Sequence, residues 1–381
     1  MWLKRWFIVA VIAVFVVLAG CAPKAAPAPA APSAPSAPVT NAAPAAPVQN
    51  PEDAAWDKVV QEAKKEGKVV SYSFSMAGDI GNAVSKAFKE KYGITLEVIG
   101  GTSPVLIQRI RTEQLQSQYA ADIGDLSSGR VVELKTSSFT ASLKELPILK
   151  DRTTWYTHPF DQDPDGHVLM YYPNVLGVFA NTNVVKSGDE PKSWQDVLDP
   201  KWKGKLIIAD PGINQTASFL HQFFKKKGVY NDNQVKDLGV QFGKFIPGGQ
   251  ADFARALAQG EGALGVGLDQ AGANPLIAQG APLKALDLKE GFLGLPMGLA
   301  MLSKAPHPNA SKVFINWLFS AEGLKVWAEA AKQATYRKDV PEFTPPAGKM
   351  DLSRVYTLKF SDMDDVNNIF NNKVVPNLWK K

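Results

Sequence analysis

The chain has 381 residues, 45% of them hydrophobic, with 42 lysines and arginines against 37 aspartates and glutamates and a net charge of +5. That near balance, with Lys225-Lys226-Lys227 the one tight basic run, speaks against a nucleic-acid partner. Cys21 is the sole cysteine, which excludes a disulfide framework and a cysteine-ligated metal site.

Lys4 and Arg5 precede an apolar run from Trp6 to Leu18 that closes on Leu18-Ala19-Gly20-Cys21. A spanning helix needs about 20 apolar residues, so this shorter run ending in small residues reads as a secretion signal over residues 1–20. Leu-Ala-Gly-Cys resembles the bacterial lipobox, which implies lipidation at Cys21. Residues 21–54 are then the lipidated cysteine and an Ala/Pro-rich tether, a composition that buries no core. Each buried methylene of an acyl chain contributes roughly 0.8 kcal/mol. The expected location is therefore extracytoplasmic, anchored to a bacterial membrane, in the periplasm or on the outer surface. What remains exceeds one core at roughly 150 residues per domain, so two domains are expected.

Trp56 to Lys65 carries Trp56, Val59, Val60 and Ala63 at helical spacing, and Gly67 ends it. The spacing then predicts a strand at Val69–Phe74, a helix from Asp79 to the stop at Gly93, a strand at Ile94–Ile99, a helix over Pro104–Gln118 and a strand at Ala121–Leu126. Such alternation builds a parallel sheet. A second α/β run begins near Val175, with strands expected at Gly177–Ala180, Lys205–Ala209 and Leu264–Leu268. Its helices are expected at Thr216–Lys226, Asp252–Gln259 and Ala271–Gln279. Leu295–Leu302 reads as a strand, and Asn309 to Lys332 as one long helix returning to the first domain.

Several segments carry a resemblance: Glu66-Gly67-Lys68-Val69-Val70-Ser71-Tyr72, Arg109-Ile110-Arg111-Thr112-Glu113, and above all Pro191-Lys192-Ser193-Trp194-Gln195-Asp196-Val197-Leu198-Asp199-Pro200-Lys201-Trp202-Lys203-Gly204-Lys205. With Ala256 to Ala263 and Phe314 to Gly323, they resemble the iron(III)/phosphonate-type extracellular solute-binding proteins of ABC transporters over about residues 55–345. The resemblance implies a two-lobed type II periplasmic-binding-protein fold, each lobe a mostly parallel α/β sheet flanked by helices, with the ligand cleft between the lobes. Lobe 1 is expected at 55–170 plus about 295–345, and lobe 2 at about 171–294 plus 346–381. Trp194 and Trp202 are read as scaffold.

In open α/β sheets ligands sit beyond the carboxyl ends of the strands, and helix starts favour anions. In the first lobe this selects Ser73, Ser75, Thr102, Ser103, Ser127 and Ser128, with helix capping as the competing role. In the second the resemblance implies a ligand at the Asp210 to Thr216 turn, which points to Gln215 and Thr216; Asp269 ends a strand, with a helix cap as its competing role, and Tyr172 of the Tyr171-Tyr172 pair precedes the crossover, with core packing as its competing role. Arg109 and Arg111, two positions apart on one helix, cannot face the same way.

Ferric members of the family carry adjacent tyrosines soon after the Gly-Glu turn; none occurs here between Gly265 and Pro282, and Met76 stands where some carry histidine. His158, His167, His221 and His307 form no zinc-spaced pair and are expected at the surface. Asp161 to Gly166 imitates a calcium loop, but its twelfth position is Tyr172, not glutamate. No Gly-x-Ser-x-Gly or His-Glu-x-x-His is present. No enzymatic activity, metal site or cofactor is expected. The expected function is capture of a small anionic solute (a phosphonate, phosphate ester or organic acid) by a monomer that delivers it to an ABC permease with its ATPase. The alternatives are uptake of iron(III) as a chelate or with a synergistic anion, and a ligand-sensing lipoprotein.

Overall fold

The structure is a computed structural model that describes residues 51–340 and 351–379. The expected secretion signal, Cys21, most of the expected tether, and residues 341–350, 380 and 381 lie outside the described residues.

Helix α1 (Pro51–Glu66) starts inside the expected tether. Proline suits a first helical position, where an N–H would have no partner, and Glu52 and Asp53 complement the positive end of the macrodipole. The chain continues through β1 (Lys68–Ser73), α2 (Asp79–Tyr92), β2 (Thr95–Gly100), α3 (Ser103–Leu115), β3 (Ile123–Leu126) and α4 (Ser128–Thr136). Gly93 ends α2 at φ 72°, its N–H reaching the Lys89 carbonyl, the left-handed stop that glycine adopts without strain.

The expected strand at Gly177–Ala180 is the end of a longer one, β4 (Leu169–Asn181). After it come α5 (Trp194–Val197), β5 (Leu206–Ala209), α6 (Thr216–Lys227), α7 (Asp232–Gln241), β6 (Phe242–Ile246), α8 (Gln250–Ala258), β7 (Leu264–Asp269), α9 (Gln270–Ala278), β8 (Leu283–Ala285) and β9 (Phe292–Met301). Where one long helix was expected there are two, α10 (Pro308–Leu318) and α11 (Ala321–Ala331). The break has a local cause: Ser320 adopts extended backbone and its side chain accepts from the Gly323 N–H, capping a new helix. The chain closes with β10 (Val355–Thr357), α12 (Met363–Asn371) and α13 (Val374–Trp379).

The strand order is β2-β1-β3-β9-β4-β7-β5-β6, with β10 on β9 and β8 on β4. Pairing is parallel within β2-β1-β3 and within β7-β5-β6, and antiparallel through β9 and β4, which join those two groups. The buried side chains divide along the joining strands. Leu169 to Tyr172 and Met297 to Leu302 pack with β1–β3, α2 and α10, whereas Leu176, Val178, Leu293 and Leu295 pack with α6, α7 and α12. At the changeover Pro173 lies opposite Pro296, so neither residue has an N–H to give the ladder, and a register shift leaves Tyr171 as an extra residue between Met170 and Tyr172.

The long motif around Trp194 is scaffold. Ser193 and Asp196 form a reciprocal capping box on α5, and Asp199 accepts from the Lys201 N–H. Trp194 is buried edge-on against Phe224, centroids 4.9 Å apart. One histidine departs from the expected surface position: His167, His221 and His307 are partly exposed, but His158 is buried, with Nε2 3.1 Å from the Leu149 carbonyl. Burial holds its imidazole below the usual range.

Candidate functional site

Because β1 lies between β2 and β3, the turns leaving these three strands are neighbours, and the backbone stitches them together. The Gly101 N–H donates to the Ser73 carbonyl at 3.2 Å, and the Phe74 N–H to the Asp125 carbonyl at 2.8 Å. The Ser127 N–H donates to Ser103 Oγ at 2.9 Å, joining the starts of α3 and α4. Thr102, Ser103, Ser127 and Ser128 thus converge. Thr102 and Ser127 occupy the N-cap positions, yet neither side chain caps its helix. The competing role for these two hydroxyls is therefore not the one they play.

The other serines expected at these strand ends are committed inward. Ser128 Oγ donates to the Pro296 carbonyl at 2.5 Å, on the joining strand β9. Ser73 and Ser75 both donate to the buried carboxylate of Asp125, which also takes the Ser75 N–H at 3.2 Å and the Tyr171 hydroxyl at 3.1 Å. Ser75 Oγ also contacts the Tyr171 hydroxyl. Burial pushes the Asp125 carboxyl up, and the bonds from Ser73, Ser75 and Tyr171 pull against that shift. The extra residue in β4 aims Tyr171 into this cluster. Tyr172, 2% exposed, packs on Trp327 with centroids 4.3 Å apart. Burial first, then the Asp125 charge, hold both phenols well above their ordinary range, so neither is a ready phenolate donor.

In the second parallel group the polar residues form a chain. Asn214 Oδ1 accepts from the Thr216 N–H at 2.9 Å and its hydroxyl at 2.6 Å. Gln250 Nε2 donates to Thr216 Oγ1 at 3.0 Å, and Gln250 Oε1 accepts from the Asp269 N–H at 3.0 Å. Asp269 caps α9 by accepting from the Gly272 N–H and takes Asn174 Nδ2 at 2.9 Å, while burial raises its carboxyl. Gly267 makes room for this packing: φ is +78°, and a Cβ there would lie 2.5 Å from Thr216 Cγ2. Gln215 turns elsewhere, donating to Asn367 on α12 at 2.9 Å.

Sequence reasoning missed Phe74, Asp125, Asn174 and Gln250. Asp125 had a legible signal, a lone acid inside the apolar run Ile123-Gly124-Asp125-Leu126. Asn174 follows Pro173 on β4, opposite Leu295, and its Oδ1 is buried with no hydrogen-bond partner. Arg109 and Arg111 stay out of the site: Arg109 lies 4.4 Å over the Tyr72 ring and pairs with Glu113, and Arg111 pairs with Glu133. The acidic turn at Asp161–Gly166 is satisfied from within, since Asp163 accepts from Lys135 Nζ at 2.5 Å and from the backbone of His167 and Val168. Among the described residues, no group of three or more His, Cys, Asp or Glu could hold a metal ion.

A family profile described as bacterial extracellular solute-binding protein matches residues 83–352. A Salmonella typhi protein provisionally named a 2-aminoethylphosphonate-binding periplasmic protein is 28% identical over 269 residues, covering 67% of this chain and 73% of its own length. The periplasmic binding protein AfuA of Actinobacillus pleuropneumoniae, solved with fructose-6-phosphate, superposes with a TM-score of 0.62 at 23% identity, covering 81% of this chain and 98% of its own. Iron-bound HitA of Pseudomonas aeruginosa superposes at 0.65 with 20% identity, covering 80% and 98%. These two likenesses are of fold, that of the type II periplasmic binding proteins.

Proposed function

We propose, from the premise that the chain belongs to the family of bacterial extracellular solute-binding proteins, that it captures a small organic anion and delivers it to an ABC permease with its ATPase. The ligand classes are a phosphonate, a phosphate ester or an organic acid. The observation that carries this reading is the pair of joined helix starts, α3 and α4, whose Thr102 and Ser127 hydroxyls do no capping. Helix starts present N–H groups and a positive dipole end to an anion. Thr102, Ser103 and Ser127 would meet the oxyanion. Ser73, Ser75 and Ser128 would fix the turns around it, with Tyr172 packed behind them on Trp327; Thr216 and Asp269, linked through Gln250, would supply the opposite wall, and Gln215 would brace it through Asn367.

The lobes are assigned to 55–170 with about 295–345, and to about 171–294 with 346–381. The division of buried side chains along β4 and β9 supports this assignment in outline, with the changeover at Pro173 and Pro296, so that Tyr171 and Tyr172 pack with the first lobe and Leu295 with the second. Closure about the Pro173–Pro296 crossing would enclose the ligand, in the manner of hinge-bending binding proteins. The protein would act by binding, without catalysing a reaction, as a monomer held to the membrane through lipid on Cys21. No helix among the described residues is long and apolar enough to cross a membrane.

The test is native mass spectrometry of the full chain purified in mild detergent without refolding, followed by thermal shift against oxyanions and iron chelates. A co-purified organic anion that raises the melting temperature supports the reading, since a ligand that binds only the folded state stabilises it. Co-purified iron with visible charge-transfer absorbance would replace it with iron uptake, and stabilisation by none of the ligands would favour a sensing or interaction role.

A further inference from the structure

Phe74 stands out among the residues of the first cleft wall. It follows β1, so its turn lies between the starts of α3 and α4. Its neighbours are fixed: Ser73 and Ser75 are buried and bonded to Asp125, Met76 is buried, and its N–H donates to Ser73 Oγ at 2.8 Å. The Phe74 N–H is itself tied to the Asp125 carbonyl. Behind the turn the packing is close, for a Cβ on Gly100 would lie 2.8 Å from the Ala77 Cβ. Yet Phe74 is 42% exposed. A phenylalanine on a loose loop needs no explanation; this one is held on a backbone locked on both sides and left partly uncovered beside two uncapped helix starts.

We propose that Phe74 is a specificity-determining residue that contacts the carbon skeleton of an organic oxyanion whose charged head sits at the starts of α3 and α4. The inference rests on the anion reading above and deepens it by naming the residue that meets the C–H-bearing chain or ring next to the oxyanion. An inorganic oxyanion fills the helix-start subsite and leaves the ring uncovered. Covering an aromatic face removes apolar surface from water, and a rigid platform does so without ordering a loop.

The experiment is calorimetric titration of the full chain in detergent, wild type, Phe74→Ala and Phe74→Tyr, with 2-aminoethylphosphonate, fructose 6-phosphate, methylphosphonate and inorganic phosphate. The wild type should bind at least one organic probe more tightly than inorganic phosphate. Phe74→Ala should weaken that probe about tenfold or more, the factor that about 1.4 kcal/mol represents, and change phosphate affinity less than about twofold. Phe74→Tyr, which keeps the ring, should stay within about threefold of wild type, and the urea midpoints of all three should coincide. Equal loss for organic and inorganic probes, no loss for either, or a wild-type preference for inorganic phosphate would each overturn the inference while leaving anion capture standing. A wild type that binds none of the four overturns capture of phosphonates and phosphate esters, and this inference with it.

Discussion

Replacing Asp125 by alanine removes the acceptor on which four donors converge: the Ser73 and Ser75 hydroxyls, the Ser75 N–H and the Tyr171 hydroxyl. Ser75 and Tyr171 remain in contact, so one of their two protons keeps a partner. Three buried donors are then orphaned. At about 1–3 kcal/mol for each unsatisfied buried donor, the loss is about 3 kcal/mol or more, with relief of the buried carboxylate holding it toward the lower end. Urea unfolding of the full chain measures it, and a loss below about 1 kcal/mol would refute the network as drawn. Asp125→Asn adds a check by pH. Burial raises the native carboxyl above its unfolded value, so between those two values the folded state holds a proton that the unfolded state has released. Wild-type stability therefore falls as pH rises through that window. The asparagine variant lacks this slope, so the stability gap between it and wild type should narrow with rising pH; a constant gap would mean that Asp125 does not titrate differently on folding.

Thr102→Ala and Ser127→Ala should each weaken oxyanion binding by about 1–3 kcal/mol, as loss of a bond to a charged group does. Neither should show the stability loss of about 1 kcal/mol that follows removal of a working N-cap; calorimetric titration paired with urea unfolding reads both, and a stability loss with unchanged affinity would return these residues to a capping role. Gly267→Ala must accept φ +78° and a Cβ 2.5 Å from Thr216 Cγ2, so thermal unfolding should report a loss of more than about 1 kcal/mol; unchanged stability would mean that the Thr216 turn moves freely.

The alternation of strand, turn and helix was legible because it is local. Apolar periodicity predicted β1, α2, β2, β5, α6 and β7 to within a few residues, and Gly93 stops α2 by its own backbone preference. The same local logic placed Thr102, Ser103, Ser127 and Ser128 at strand ends. It could not say which hydroxyls are spent, because their partners are remote in sequence: Asp125 is 52 residues from Ser73 and 46 from Tyr171, and Pro296 is 168 from Ser128. The single helix expected from Asn309 to Lys332 failed where a local cap at Ser320 outweighed a continuous apolar pattern. Nothing in the period of any one segment indicates that β9 inserts between β3 and β4, or that Pro173 meets Pro296. The sequence by itself determined the elements and the chemistry available at their ends, since period, caps and turn residues act within a few positions. Only the tertiary structure decided which of those groups are buried against each other and which, like Phe74, remain facing out, since burial and hydrogen-bond partnership depend on segments that meet only when the chain folds.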